Sequence, residues 1–285
     1  MPLTTTGELV TRAAADRRAA VSFNVITLEH VEAVIAGAES ARAPVVLQVS
    51  ENAVRFRGGL LPLARAAVAA AEQASVPVAL HLDHVQSDTL LHQAAEAGFS
   101  SVMYDAARLP YEQNLAATRA AAGLAHAQGL WIEAELGQIG GKNGSPPLDA
   151  HAPGARTDPD EARAFVADSG VDALAVAIGS SHAMTTRTAV LDHALLTRLS
   201  AALDVPLVLH GSSGVPDGEL TAAVAGGIAK VNIGTALNVA LTGAIRDFLA
   251  GRPEAVDPRG YLAIAREAMA QVVAKTLGTL AGPTA

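Results

Sequence analysis

The feature that most restricts the fold of this chain is an alternation. Short apolar segments rich in β-branched residues recur eight times, separated by Ala-rich stretches. They are "VSFNV" (21–25), "PVVLQVS" (44–50), "PVALHLDH" (77–84), "SVMYDA" (101–106), "LWIEAELG" (130–137), "ALAVAIGSSH" (173–182), "PLVLHGSSG" (206–214) and "AKVNIGT" (229–235). Helix-like stretches lie between them, at 27–41, 60–74, 89–98, 111–128 and 158–170. In the last, Thr157 or Asp158 is placed to cap the helix, Pro159 suits its first turn and Gly170 its end. Eight strand–helix units predict one α/β domain over residues 1–285, a single (β/α)₈ TIM barrel. The stretch "LAIAREAMAQVVAKTLGTL" adds a C-terminal helical extension. A doubly wound open sheet is the alternative, but its Gly-rich first turn is missing from "NVITLEH". Half the residues are hydrophobic and 3% aromatic, which suits parallel strands buried beneath Ala-rich helices.

The same composition excludes several functions. A net charge of -8 without a basic run argues against nucleic acid as a partner. The chain has no cysteine, so thiol catalysis is excluded and any metal must be held by His, Asp or Glu. No apolar run approaches the roughly 20 residues of a membrane span. The N-terminus lacks the apolar core of a signal peptide, so a cytoplasmic location is expected.

In such a barrel the active site lies at the C-terminal strand ends. Here those ends carry Asn24, Gln48, Ser50, Asp83, His84, Asp105, Glu133, Glu135, His182, His210, Asn232 and Thr235. A lone histidine in a helical stretch is ordinarily structural. That reading puts His30, His92, His126 and His193 on the surface and His151 in a loop. His84, His182 and His210 instead end strands that converge on one face. Three imidazoles with an open position form a catalytic zinc arrangement, although their spacing is too scattered for a local zinc motif. "HGSSG" (210–214) and "NIGT" (232–235) follow the seventh and eighth strands, where barrels frequently bind phosphate. Gly211, Ser213 and Thr235 suit that task, and ordinary turn chemistry accounts for them equally well. Asp83 has the opposite strand parity to His84. If His84 turns onto a metal, Asp83 can hang over the pocket as a free carboxylate. His81 shares the parity of Asp83 and reads as its support.

Together these residues resemble the class II, zinc-dependent ketose-bisphosphate aldolases. "HLDH", "EAELG", "DALAVAIGSSH", "PLVLHGSSGVP" and "KVNIGT" stand in that family's order and at its spacing, and the likeness runs from "SFNV" to "DPRGY". The resemblance implies that His84, His182 and His210 hold a catalytic zinc. Asp83 would handle the proton of the aldol hydroxyl, and Asn232 would contact the enediolate. Glu135 and Asp105 match acidic residues that hold a second or displaced cation, divalent or monovalent. Asn24, Gln48, Ser50, Gly179, Gly211, Ser213 and Thr235 fall on the substrate and phosphate site. Arg259 matches an arginine that grips the distal phosphate, in some members across a subunit interface, so a homodimer or homotetramer is expected.

The implied reaction is reversible cleavage of tagatose or fructose 1,6-bisphosphate to dihydroxyacetone phosphate and glyceraldehyde 3-phosphate. Three positions depart from the family pattern. Ala183 replaces a loop glycine, Gly234 stands where fructose-type members carry a carboxylate, and Asn143 replaces a loop glutamate. The last makes Glu133 the expected stand-in, relaying a proton through water. Three other readings stay open: another phosphorylated keto sugar as substrate, a non-catalytic sugar-phosphate-binding accessory subunit, and a metal-dependent hydrolase on the same barrel.

Overall fold

The computed structural model describes residues 2–137 and 155–281. Eight parallel strands close into a barrel in chain order. They are β1 (Ala20–Asn24), β2 (Val45–Ser50), β3 (Val78–Val85), β4 (Ser101–Tyr104), β5 (Trp131–Leu136), β6 (Ala173–Val176), β7 (Leu207–Leu209) and β8 (Ile228–Ile233). Each strand turns one set of side chains outward against the helices, which is where the main core lies. Phe23, Leu47, Leu80, Leu82, Ile132 and Leu174 are fully buried in that layer.

The helices are α1 (Thr6–Ala15), α2 (Leu28–Ala41), α3 (Glu51–Arg57), α4 (Leu61–Gln73), α5 (Asp88–Ala97), α6 (Tyr111–Ala127), α7 (Pro159–Ser169), α8 (His193–Ala202), α9 (Asp217–Ala225), α10 (Thr235–Gly251) and α11 (Pro258–Leu280). The α7 boundaries follow their sequence signals. Asp158 accepts from the Asp160 and Glu161 amides, Pro159 opens the helix, and Gly170 ends it in the left-handed region. Thr157 is no cap; its hydroxyl donates to the Leu136 carbonyl at 2.6 Å. The expected terminal helix is α11, which starts four residues earlier than the apolar pattern does.

Helix α1 is not among the stretches singled out above. Thr5 and Glu8 form a capping box at its start. Its Leu9 and Val10 pack on Ala20, Val46, Ala79 and Ala229, sealing the barrel at the N-terminal end of the strands. Above that small apolar layer the interior turns polar. Ser22, Gln48, His81, Ser101, Glu133 and Lys230 are all buried there. A barrel interior is ordinarily filled by branched aliphatic side chains, so this polar layer calls for a functional account. No helix among the described residues is long and apolar enough to cross a membrane.

Candidate active site

A cavity of about 260 Å³ opens at the C-terminal mouth of the barrel. Asn24, Gln48, Ser50, Asp83, His84, Asp105, His182, Gly211, Ser213, Asn232 and Thr235 line it, as the strand-end pattern requires.

A β-bulge brings Asp83 and His84 together. Between β3 and β4 the register runs Leu82 with Val102 and then Val85 with Tyr104, so two residues of β3 oppose one of β4. His84 takes up the extra length with φ of 50°, a left-handed backbone that only a tightly determined setting sustains in a non-glycine residue. The alternation of strand faces is thereby cancelled, and neighbouring side chains both reach the cavity.

His84, His182, His210 and Glu135 each offer one ligand atom, all within 4.8 Å of one another. The three rings stand edge-on, with centroids 5.0 to 5.8 Å apart. Carboxylates hold the far side of two of them. His84 Nδ1 lies 2.8 Å from Asp105 Oδ2, and His210 Nε2 lies 2.7 Å from Glu133 Oε1. Metal-binding histidines are typically steered by such carboxylate partners. The residues therefore fit a divalent ion bound by three imidazoles and a carboxylate. His210 Nδ1 meets Glu135 Oε2 at 2.9 Å. Burial disfavours the imidazolium, but the bonds to Glu133 and Glu135 outweigh it and hold the His210 pKa at about 9.

Asp83 is buried, and its Oδ1 has no hydrogen-bond partner. Burial alone would raise its pKa. The fields of His84, His210, His81 and Lys230 prevail and hold it below the usual carboxylate range. The result is an ionised carboxylate whose Oδ2 lies 3.8 Å from His84 Nε2. Beneath it, His81 Nδ1 meets Ser101 Oγ at 2.7 Å. Burial, then the nearby Lys230, push the His81 pKa down to about 3, so His81 is neutral support.

Across the mouth, Ser213 Oγ accepts from the backbone amides of Gly234 and Ala236, at 3.3 and 3.1 Å. It thereby ties the β7 loop to the start of α10, with Thr235 at the helix N-terminus. Gly211 has φ of 67°, and a β-carbon there would press on the Ser181 backbone at 2.6 Å. Ala183, also on the cavity wall, has φ of 59° with a β-carbon in place.

Several expected site residues stand elsewhere. His182 does not end a strand, because β6 stops at Val176 and the intervening residues form a loop. Asp105 is outside the four-residue donor cluster and orients His84 instead. Gly179 does not line the cavity. Its φ is 122°, and a β-carbon would meet the Val190 carbonyl oxygen at 2.5 Å, so it serves a close chain crossing. Glu133 is fully buried, absent from the cavity wall, and uses both oxygens on His210 and Lys230. That placement does not carry the water relay expected of it. Arg259 opens α11, exposed and paired with Asp257 at 2.6 Å, and does not line the cavity of its own chain. Asn143 lies outside the described residues.

The structure also adds residues that the strand-end reasoning missed. Asn52, Arg55, Gln86, Arg108 and Asn238 join the cavity wall from loops and helices. His30 is buried, not on the surface, and bridges Thr27 Oγ1 and Asn238 Oδ1 at 3.0 and 3.2 Å. Lys230 was readable in principle. It stands two residues before Asn232 and therefore shares its inward face.

Fold and site together define a TIM barrel whose candidate catalytic groups gather at one mouth. The family model for class II fructose-bisphosphate aldolase matches residues 4–282. A probable fructose-bisphosphate aldolase of Bacillus subtilis is 37% identical over 276 residues, covering 96% of this chain and 95% of its own. A fructose-bisphosphate aldolase of Staphylococcus aureus is 36% identical over 275 residues, with the same coverage. Among solved structures, the YdjI aldolase of Escherichia coli K12 superposes with a TM-score of 0.85 at 31% identity, covering 98% of this chain and 97% of that one. A putative fructose-1,6-bisphosphate aldolase from Coccidioides immitis gives 0.84 at 30% identity, covering 96% and 95%. This chain belongs to the class II fructose-bisphosphate aldolase family.

Proposed function

We propose that the protein reversibly cleaves a ketose 1,6-bisphosphate, tagatose or fructose, to dihydroxyacetone phosphate and glyceraldehyde 3-phosphate. The observation that carries this reading is the four-residue donor cluster, of which His84 and His182 line the cavity together with the ionised Asp83. Cleavage leaves negative charge on the carbon beside a carbonyl, and that charge must pass to oxygen. His84, His182 and His210, with Glu135 beside them, would hold a zinc ion, which would supply Lewis-acid stabilisation of that charge.

The chain's own groups account for the rest. Asp83 takes the proton from the C4 hydroxyl, a role suited to a carboxylate that stays ionised at neutral pH. Asn232 lines the cavity and offers its amide to the developing oxyanion. Gly211, Ser213 and Thr235 border the N-terminus of α10, where backbone N–H groups and the helix dipole favour a phosphate. Asn24, Gln48 and Ser50 line the adjoining wall, and Gln48 Nε2 donates to Asn24 Oδ1 at 3.1 Å. Asp105 acts here through His84 instead of holding a second cation.

Arg259 reaches a distal phosphate in this reading only from a second copy, as a homodimer or homotetramer would allow. The apolar helix α10 supports such an assembly, since Leu237 is its one buried residue within a single chain. A cytoplasmic metabolic role follows from the same reading. The test is a coupled assay on both ketose bisphosphates, with and without Zn²⁺. Full activity of the metal-free protein, together with a borohydride-trapped lysine adduct, would overturn it.

A further inference from the structure

Lys230 is fully buried inside the barrel, a place where lysine is almost never found unless paired. Its Nζ donates to Glu133 Oε2 on β5 and to Asn232 Oδ1 on its own strand, both at 2.8 Å. It does not line the cavity, whereas Asn232 does. Lysine has donors and no acceptor, so the end of the Asn232 amide that faces Nζ must be the oxygen. The Nδ2 end is then the one left to turn elsewhere. It is buried and has no hydrogen-bond partner within the protein. Glu133, the other partner, spends its second oxygen on His210 Nε2 at 2.7 Å. One side chain thus touches both the amide at the cavity wall and the carboxylate beneath a metal-binding ring.

We propose that Lys230 is a positioning residue for the aldolase reaction. It holds the Asn232 amide with its N–H donors toward the substrate oxyanion, and it anchors Glu133 so that His210 Nδ1 faces the metal cluster. This inference rests on the aldolase reading above. Two contacts and full burial keep Lys230 off the substrate, so it acts through its partners. Without it, the amide is free to rotate and present its oxygen to a negative charge, which repels instead of stabilising. Glu133 likewise loses the group that fixes its second oxygen.

The test uses variants of the whole chain. Lys230→Met removes both contacts. Lys230→Arg keeps a cation. Lys230→Met with Glu133→Gln removes both buried charges, so that an unpaired carboxylate does not unfold the barrel. Zn²⁺ titration of the metal-free proteins should show Lys230→Met weakened by about 10- to 100-fold, the range for groups that steer metal ligands. Lys230→Arg should retain most of the wild-type affinity.

In the Zn²⁺-loaded enzymes, the double variant should lose roughly 10²-fold in kcat, the lower bound for removing one oxyanion donor, with KM little changed. Asn232→Ala should be costly in the wild type and nearly silent in that background, because residues acting as one unit are not additive. Additive losses would show that Lys230 does not act through Asn232. Unchanged Zn²⁺ affinity in Lys230→Met would sink the Glu133 arm. If the wild type cleaves no ketose bisphosphate, the aldolase reading falls, and the Zn²⁺ titrations still decide whether Lys230 anchors Glu133.

Discussion

Asp105 Oδ2 sits 2.8 Å from His84 Nδ1, which leaves Nε2 of that ring to face the donor cluster. A carboxylate in this position fixes both the tautomer and the tilt of the imidazole. Asp105→Ala should therefore weaken Zn²⁺ binding by about 10- to 100-fold while the barrel stays folded. Competition titration against a chelator measures this. Unchanged affinity would return Asp105 to the role of a ligand for a second ion.

Asp83 should separate from the metal in the opposite way. Asp83→Ala is expected to keep Zn²⁺ bound and to cut C–C cleavage by roughly 10²–10⁴-fold, the scale of one positioned acid–base group. Metal content and turnover measured on the same sample check both halves. Metal lost together with activity would make Asp83 a prop for His84.

The metal-free protein should have a characteristic pH dependence. The His210 pKa is raised in the folded state, from 6.5 to about 9. Its contribution to stability is therefore fully present below about pH 6.5 and is lost as pH rises through 9. Thermal unfolding of the chelated protein should show a falling midpoint between these limits. Zn²⁺ should remove the trend, because the ion replaces the proton. A flat profile in the chelated protein would count against the paired Glu133–His210–Glu135 arrangement.

Ala183 holds a left-handed backbone with φ of 59°. Ala183→Gly should relieve the clash of Cβ with the following carbonyl and stabilise the fold by about 1 kcal/mol. Chemical denaturation reads the change. A loss of stability would mean that the freedom gained by the unfolded chain outweighs the relief.

Gly234 is expected to set the substrate preference. A β-carbon there would meet Asn24 Oδ1 at 3.0 Å, so Asn24 holds the space that a larger side chain at this position would need. Tagatose 1,6-bisphosphate should be turned over at least as well as the fructose isomer. A kcat/KM favouring fructose by more than about tenfold, or 1.4 kcal/mol of transition-state discrimination, would overturn this.

Local chemistry makes much of the architecture legible in the sequence alone. Alternating apolar segments mark the strands, and Asp158, Pro159 and Gly170 mark the limits of α7. His84 and His210 were found because each stands where an apolar strand turns polar. His182 stands off the strand pattern, since five residues of loop separate it from β6. Other features depend on pairings between distant strands, which no local pattern reveals. The bulge at His84 exists only in the register of β3 against β4. Lys230 meets Glu133 only because barrel closure turns β8 and β5, three strands apart, onto one interior. Glu133 shows why, because a carboxylate near a strand end looks available until its partners, His210 and Lys230, are known. The capping box of α1 was legible in "TTTGEL", but nothing local says that the helix seals a barrel.

Among the described residues that seal leaves the barrel one open end, because Leu9 and Val10 close the other. In the aldolase reading, the parent ketose and both fragments would share that doorway, so a fragment still lodged there would bar the next guest.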